Sequence, residues 1–154
     1  MNKTMKRIAS IVLVSAFALS FAACGKKKTL SAEDFTSKME KEGFKVTEQE
    51  EKDGITSIGA SNEDSSILVA WSKYDDSDKA KSDFEFVKEF YESLEDDLKE
   101  IGAELSTSSS ELTVSSDSEF IFFSFSGDTV ITISAEGSEE TVSAAKDIKK
   151  ALGL

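Results

Sequence analysis

Histidine and proline are missing from the chain, arginine occurs once, at Arg7, and cysteine once, at Cys24. Without histidine, neither Ser-His-Asp nor Cys-His catalysis is available. Zinc, copper and haem sites built on imidazole or thiolate sets are excluded on the same ground. One cysteine cannot form an internal disulfide. With Arg7 confined to the extreme N-terminus, the body of the protein lacks the planar fork that grips phosphates and carboxylates in two places. Carboxylate, Lys, Ser/Thr and Tyr chemistry is what remains. No residues form a catalytic, cofactor-binding or metal-binding signature, so the expectation for each is none.

What is present begins with a leader. Lys3, Lys6 and Arg7 precede an uncharged run from Ile8 to Ala23. Sixteen residues are short for a membrane span, which needs about 20. A positive start, a short apolar run and small residues at its end make the pattern of a secretory signal. The run ends in Phe21-Ala22-Ala23-Cys24-Gly25. This stretch resembles a lipobox, the site at which bacterial lipoprotein precursors are diacylated on the cysteine thiol and cut just before it. Phe21 departs from the usual leucine. The resemblance implies a signal peptide over 1–23, a lipidated Cys24, and attachment to the outer face of the cell membrane through diacylglycerol. An ordinary secreted protein with a stray thiol is the alternative.

Loss of the leader would leave fifteen basic against thirty acidic residues, a charge of −15. Such a body repels nucleic acid, whose affinity for proteins comes largely from cations on phosphate. It repels an anionic bilayer too; Lys26, Lys27 and Lys28 beside the anchor either gain about 1 kcal/mol each from anionic headgroups or form a plain solvated charge run.

Residues 24–29 read as lipidated cysteine and tether, and 30–154 as a single domain large enough for a real core. Ser31 is placed to cap a first helix, with Phe35 and Met39 on one face and Gly43 as its stop. Strands are expected over Phe44–Glu50, Ile55–Ala60 and Ser66–Tyr74. Ala80, Phe84, Val87, Tyr91, Leu94, Leu98 and Ile101 form one apolar stripe at helical spacing, capped by Ser77 and ended by Gly102. The serine-rich segment Ala103–Ser110 reads as a loop, or as a loop that begins with a short strand. Strands over Glu111–Ser116, Glu119–Ser126 and Thr129–Ala135 follow, then a helix from about Glu139 to Leu152 capped by Ser138. The fold class is therefore α+β: an antiparallel sheet of about six strands with three helices, in the order α-βββ-α-βββ-α. A faint echo between residues 35–44 and 94–103 suggests an internal duplication.

The pieces LSAEDFTSKMEKEGFKVT, SDKAKSDFE, GDTVITIS and DIKKALGL are similar to those of small, functionally uncharacterised lipoproteins of Gram-positive Firmicutes. In that group an aromatic residue is common where this chain ends in Gly153-Leu154. The resemblance implies a location and an architecture and brings no activity.

Three stretches could carry chemistry. Ser143 and Lys146 have the Ser-x-x-Lys spacing of penicillin-recognising enzymes, but no K-T-G accompanies them, and a solvated helix face accounts for both. Asp75, Asp76 and Asp78 could hold calcium weakly; they lack the EF-hand ladder, and a capped, acid-favouring helix start explains them. In EFIFFSFS, Glu119–Ser126, alternation puts Ile121, Phe123 and Phe125 on one face and Phe120 and Phe122 on the other. If all helices share one face, Trp71, Phe120 and Phe122 form an exposed partner patch. If the sheet curls, or the helices divide between faces, they are core. The functional expectation is a non-enzymatic, lipid-anchored module that binds an unknown protein or small ligand. The rivals are an envelope hydrolase using a carboxylate pair and an accessory subunit of a larger envelope complex.

Overall fold

The computed structural model describes residues 29–154. The leader, Cys24 and Lys26–Lys28 lie outside the described residues. The chain there builds one antiparallel sheet of eight strands with four helices. Helix α1 (Ala32–Lys41) leads to β1 (Lys45–Val46), β2 (Glu50–Lys52), β3 (Ile55–Ser61) and β4 (Ile67–Tyr74). Helices α2 (Ser77–Ser93) and α3 (Glu95–Glu100) follow, then β5 (Glu104–Thr107), β6 (Glu111–Ser115), β7 (Glu119–Ser126), β8 (Thr129–Glu136) and α4 (Glu139–Leu152).

The α+β class and the antiparallel sheet stand; the finer count differs. The segment expected as one strand over 44–50 is broken into β1 and β2, both paired to β3. The serine-rich segment does begin with a short strand, β5, paired to β6. The long helical stripe breaks at Leu94, and α2 is capped by Asp76 rather than Ser77: the Asp76 carboxylate accepts from the Asp78 amide at 2.7 Å. Ser31 caps α1 as expected, accepting from the Asp34 amide at 3.1 Å.

Strand order across the sheet is β1-β3-β4-β8-β7-β6-β5, with β2 also against β3. Strands β1 to β4 thus make one half of the sheet and β5 to β8 the other, and the halves meet at β4–β8. Register places Ala60, Val69, Ile133 and Phe122 in one row across four strands. That row, with Trp71, Ile131 and Phe120, packs under α1 and α4 through Phe35, Met39, Val142, Ala145, Ile148 and Leu152. The opposite face packs under α2 and α3: Leu112, Val114, Ile121, Phe123 and Phe125 meet Phe84, Val87, Tyr91 and Leu98.

Helices therefore divide two and two between the faces, and the patch expectation is corrected. Trp71 is 3 % exposed, Phe120 2 % and Phe122 0 %. The physical reason is that β7 is apolar in both phases, so each face of it needs its own cover. Burying three large aromatics is favourable by roughly 2–3 kcal/mol each, more than a solvated face could offset.

Candidate functional site

With the aromatic patch gone, Phe86 is the one large apolar side chain that stands exposed among the described residues, at 61 %. Isolated residues of that kind need no partner. Ser143 and Lys146 are both exposed on α4, the lysine lying 5.9 Å over the Phe120 ring, so the Ser-x-x-Lys spacing forms no enclosed pair. Asp75, Asp76 and Asp78 surround the start of α2, where Asp76 serves as its cap.

Two features have the shape or chemistry of a site. The first is a trough on the α1/α4 face, beside α1. Its larger part, about 580 Å³, is lined by Leu30, Glu33, Gln49, Thr56, Lys73 and Asp128, with Trp71 behind them. A shallower part of about 460 Å³ continues past Thr36, Ser37, Glu40 and Thr47. The Trp71 indole N–H donates to the Leu30 carbonyl at 2.8 Å, which pins the start of α1 over the sheet. Lys73 and Asp128 pair at 3.6 Å across the open end, both partly exposed. The walls are mixed: Leu30, Ala32 and Trp71 give apolar surface, Thr56 and Gln49 hydrogen-bonding groups, and Glu33, Lys73 and Asp128 charges of both signs.

The second is a set of acids under α2. Asp83 is 7 % exposed and one carboxylate oxygen, Oδ2, has no hydrogen-bond partner. It lies one helical turn after Ala80, which packs with Ile55 and Tyr74 in a small apolar cluster, and its charge acts on the Tyr74 phenol. Burial pushes its pKa up to about 7, against a smaller lowering by Lys79. Glu119 is 4 % exposed and lies directly across from Glu136 in the β7–β8 register. Burial first, and the Glu136 charge second, push Glu119 up to about 7. Tyr91, 1 % exposed, has a buried hydroxyl without a partner. Burial, then Glu119, raises its phenol well above the ordinary range.

Carboxyls about 5 Å apart are what a retaining glycosidase requires, and direct cross-strand partners have Cβ atoms about 4.5–5.5 Å apart. Glu119, however, is nearly sealed, and the trough lies on the other face of the sheet. A sugar ring seated in the trough could not reach the pair.

Neither buried acid stood out in the sequence, although a signal existed for each. Glu119 is in phase with Ile121, Phe123 and Phe125, and Asp83 lies three residues after Ala80 and four before Val87. Comparison with family models, with curated proteins and with solved structures finds no match to this chain.

Proposed function

We propose that the protein is a lipid-anchored, extracytoplasmic binding module without catalytic activity, held on the outer face of the cell membrane by diacylglycerol on Cys24. The observation that carries this reading is the sequence Phe21-Ala22-Ala23-Cys24, followed only five residues later by Thr29, where the described fold begins. An extended chain of that length reaches at most about 18 Å, so the domain stands close to the bilayer. Its base then faces the membrane: the start of α1, the Asp53-Gly54 turn, the Gly127-Asp128 turn and the start of α2. The trough beside α1 opens near this base and is the ligand groove in this reading. Its walls combine apolar surface at Leu30 and Ala32 with Thr56, Gln49 and charges of both signs at Glu33, Lys73 and Asp128, a mixture that suits an uncharged amphipathic ligand with hydroxyl or amide groups, such as a wall glycan or an extended peptide. The acidic surface turns away nucleic acid.

Metabolic labelling with a fatty-acid analogue tests the anchor. Label should enter the wild-type protein and not Cys24→Ser; an unlabelled wild type at the size of a cleaved secreted form refutes it. For the groove, Trp71 is the only tryptophan and reports directly. Soluble wall-glycan fragments should shift its emission, and Gln49→Ala with Thr56→Ala should weaken that response. Emission that stays constant across glycan and peptide fragments would remove the groove from consideration.

A further inference from the structure

One wall of the larger part of the trough is Thr29, Leu30 and Ser31, a stretch outside any helix or strand that leads into α1. Thr29 and Ser31 are exposed, and Leu30 is half-buried against the α1/α4 core. The floor there is Trp71, directly across from Ile58 in the β3–β4 register, and Ile58 underlies the shallower part. The indole N–H can only donate, and its acceptor is the Leu30 carbonyl at 2.8 Å. Among the described residues, that is the only hydrogen bond between the sheet and these three residues.

The rest of α1 is held independently of this stretch. Phe35 and Met39 are fully buried, and the Lys38 ammonium donates to the Ala151 carbonyl of α4 at 2.6 Å. Ser31 accepts from the Asp34 and Phe35 amides, bonds that lie within the first turn and tie nothing to the sheet. A segment secured by one hydrogen bond and one half-buried side chain opens without the rest of the fold.

We propose that Thr29–Ser31 is a displaceable strap over Trp71, an autoinhibitory contact on the trough. Seated, it fills one side of the trough and its Leu30 carbonyl occupies the indole N–H. Lifted, it uncovers the tryptophan and leaves that N–H to a carbonyl or hydroxyl oxygen of an occupant, so strap and ligand compete for one donor. Cys24 stands five positions before Thr29. With a lipid there, lifting the strap lengthens the tether, so pull on the anchor and occupancy of the trough favour the same state, each helping the other equally. That consequence rests on the reading of the chain as a lipid-anchored binding module; the motion of the strap does not.

Trp71 is the only tryptophan, so its indole proton gives one unambiguous NMR signal. Its exchange with deuterium, corrected for the free indole rate, is compared with that of the Ala70 and Ser72 amides beside it in β4. Local lifting predicts an indole proton protected about a hundredfold less than those amides, with exchange insensitive to urea below the transition because little surface is exposed. Leu30→Gly should speed indole exchange roughly tenfold relative to the amides, through lost apolar contact. The ratio is taken within each protein, so a general loss of stability cancels, and Leu30→Ala should show a smaller change of the same sign. An indole proton that exchanges only together with the β4 amides overturns the proposal, as does a ratio that neither Leu30 variant moves. No ligand enters the measurement, so a strap that does not move and a trough that binds nothing are separate results.

Discussion

Replacing Asp83 with leucine should make the protein more stable, and the gain should depend on pH. Asp83 is 7 % exposed, its Oδ2 is unpartnered, and its charge acts on the buried Tyr74 phenol. Its pKa moves from 3.8 to about 7, chiefly through burial. At full value that displacement sets roughly 4 kcal/mol against the ionised form; relaxation of the surroundings and water penetration around a buried charge reduce it to about 2. The sign follows from proton binding. The folded state holds the proton more tightly than the unfolded chain, so stability rises as pH falls from about 7 toward 3.8, and the penalty is complete above about 7. Leucine cannot ionise. Asp83→Leu should therefore exceed wild type by about 2 kcal/mol near pH 8 and by little near pH 4. Glu119 titrates over a similar window, but it is common to both proteins and cancels in the difference. Urea denaturation followed by Trp71 emission measures both curves. A variant less stable than wild type near pH 8, or a gain independent of pH, would refute the reasoning.

Three further substitutions probe the packing. Phe122→Ala removes a ring that is 0 % exposed and lies 4.0 Å beneath the Lys149 ammonium; calorimetry should show a loss of about 3–5 kcal/mol, and a near-native melt would return the residue to the surface. Gly54 has φ +77°, and a Cβ there would lie 3.1 Å from the Asp75 carboxylate, so Gly54→Ala should cost about 1–2 kcal/mol. Adding Asp75→Ala should recover only the part due to the clash. Phe86→Ser should fall within about 0.5 kcal/mol of wild type, whereas Val87→Ala, one residue on and 7 % exposed, should cost about 1–3 kcal/mol; equal melts for the two would mean that the buried face of α2 is wrongly placed.

The helices were legible where a cap and an apolar face agreed. Ser31 with Phe35 and Met39, and Ser138 with Val142, Ala145, Ile148 and Leu152, mark α1 and α4 from the sequence alone. The break between α2 and α3 was not legible, because the apolar stripe runs through it from Tyr91 to Leu98. Local bonds decide it. The Leu94 amide turns to the Tyr91 carbonyl at 3.1 Å, and the Ser93 hydroxyl takes the Phe90 carbonyl at 2.7 Å. Glu95, Asp96 and Asp97 then occupy a new first turn, where negative charge is favoured. The trough was illegible for another reason: Gln49, Thr56, Lys73 and Asp128 come from separate segments and meet only through the register of β2, β3 and β4 with the β7–β8 turn.

The place of the helical layers was written in the phase of each strand rather than in any one strand's composition. In β7, every residue from Glu119 to Phe125 is buried, and both phases are rich in aromatics. Such a strand needs cover on two sides. In β3, one phase carries Ile58 and Ala60; the other starts at Ile55, which packs with Tyr74 and Ala80, and continues as Ser57, Gly59 and Ser61, none of which belongs to an apolar cluster. β6 reverses the rule: Leu112 and Val114 belong to the α2/α3 core, while Thr113 and Ser115 share a face with Phe122 and Phe120. Followed strand by strand, the phase that turns apolar moves from the α1/α4 face at β3 to both faces at β7 and to the α2/α3 face at β6. The two helical layers must therefore be offset diagonally across the sheet. That offset buries Trp71 and Phe122 on one side. On the other it ends at a row of small side chains, Ser57, Gly59, Ala70 and Ser72, where a second layer of helix would find little apolar surface to cover.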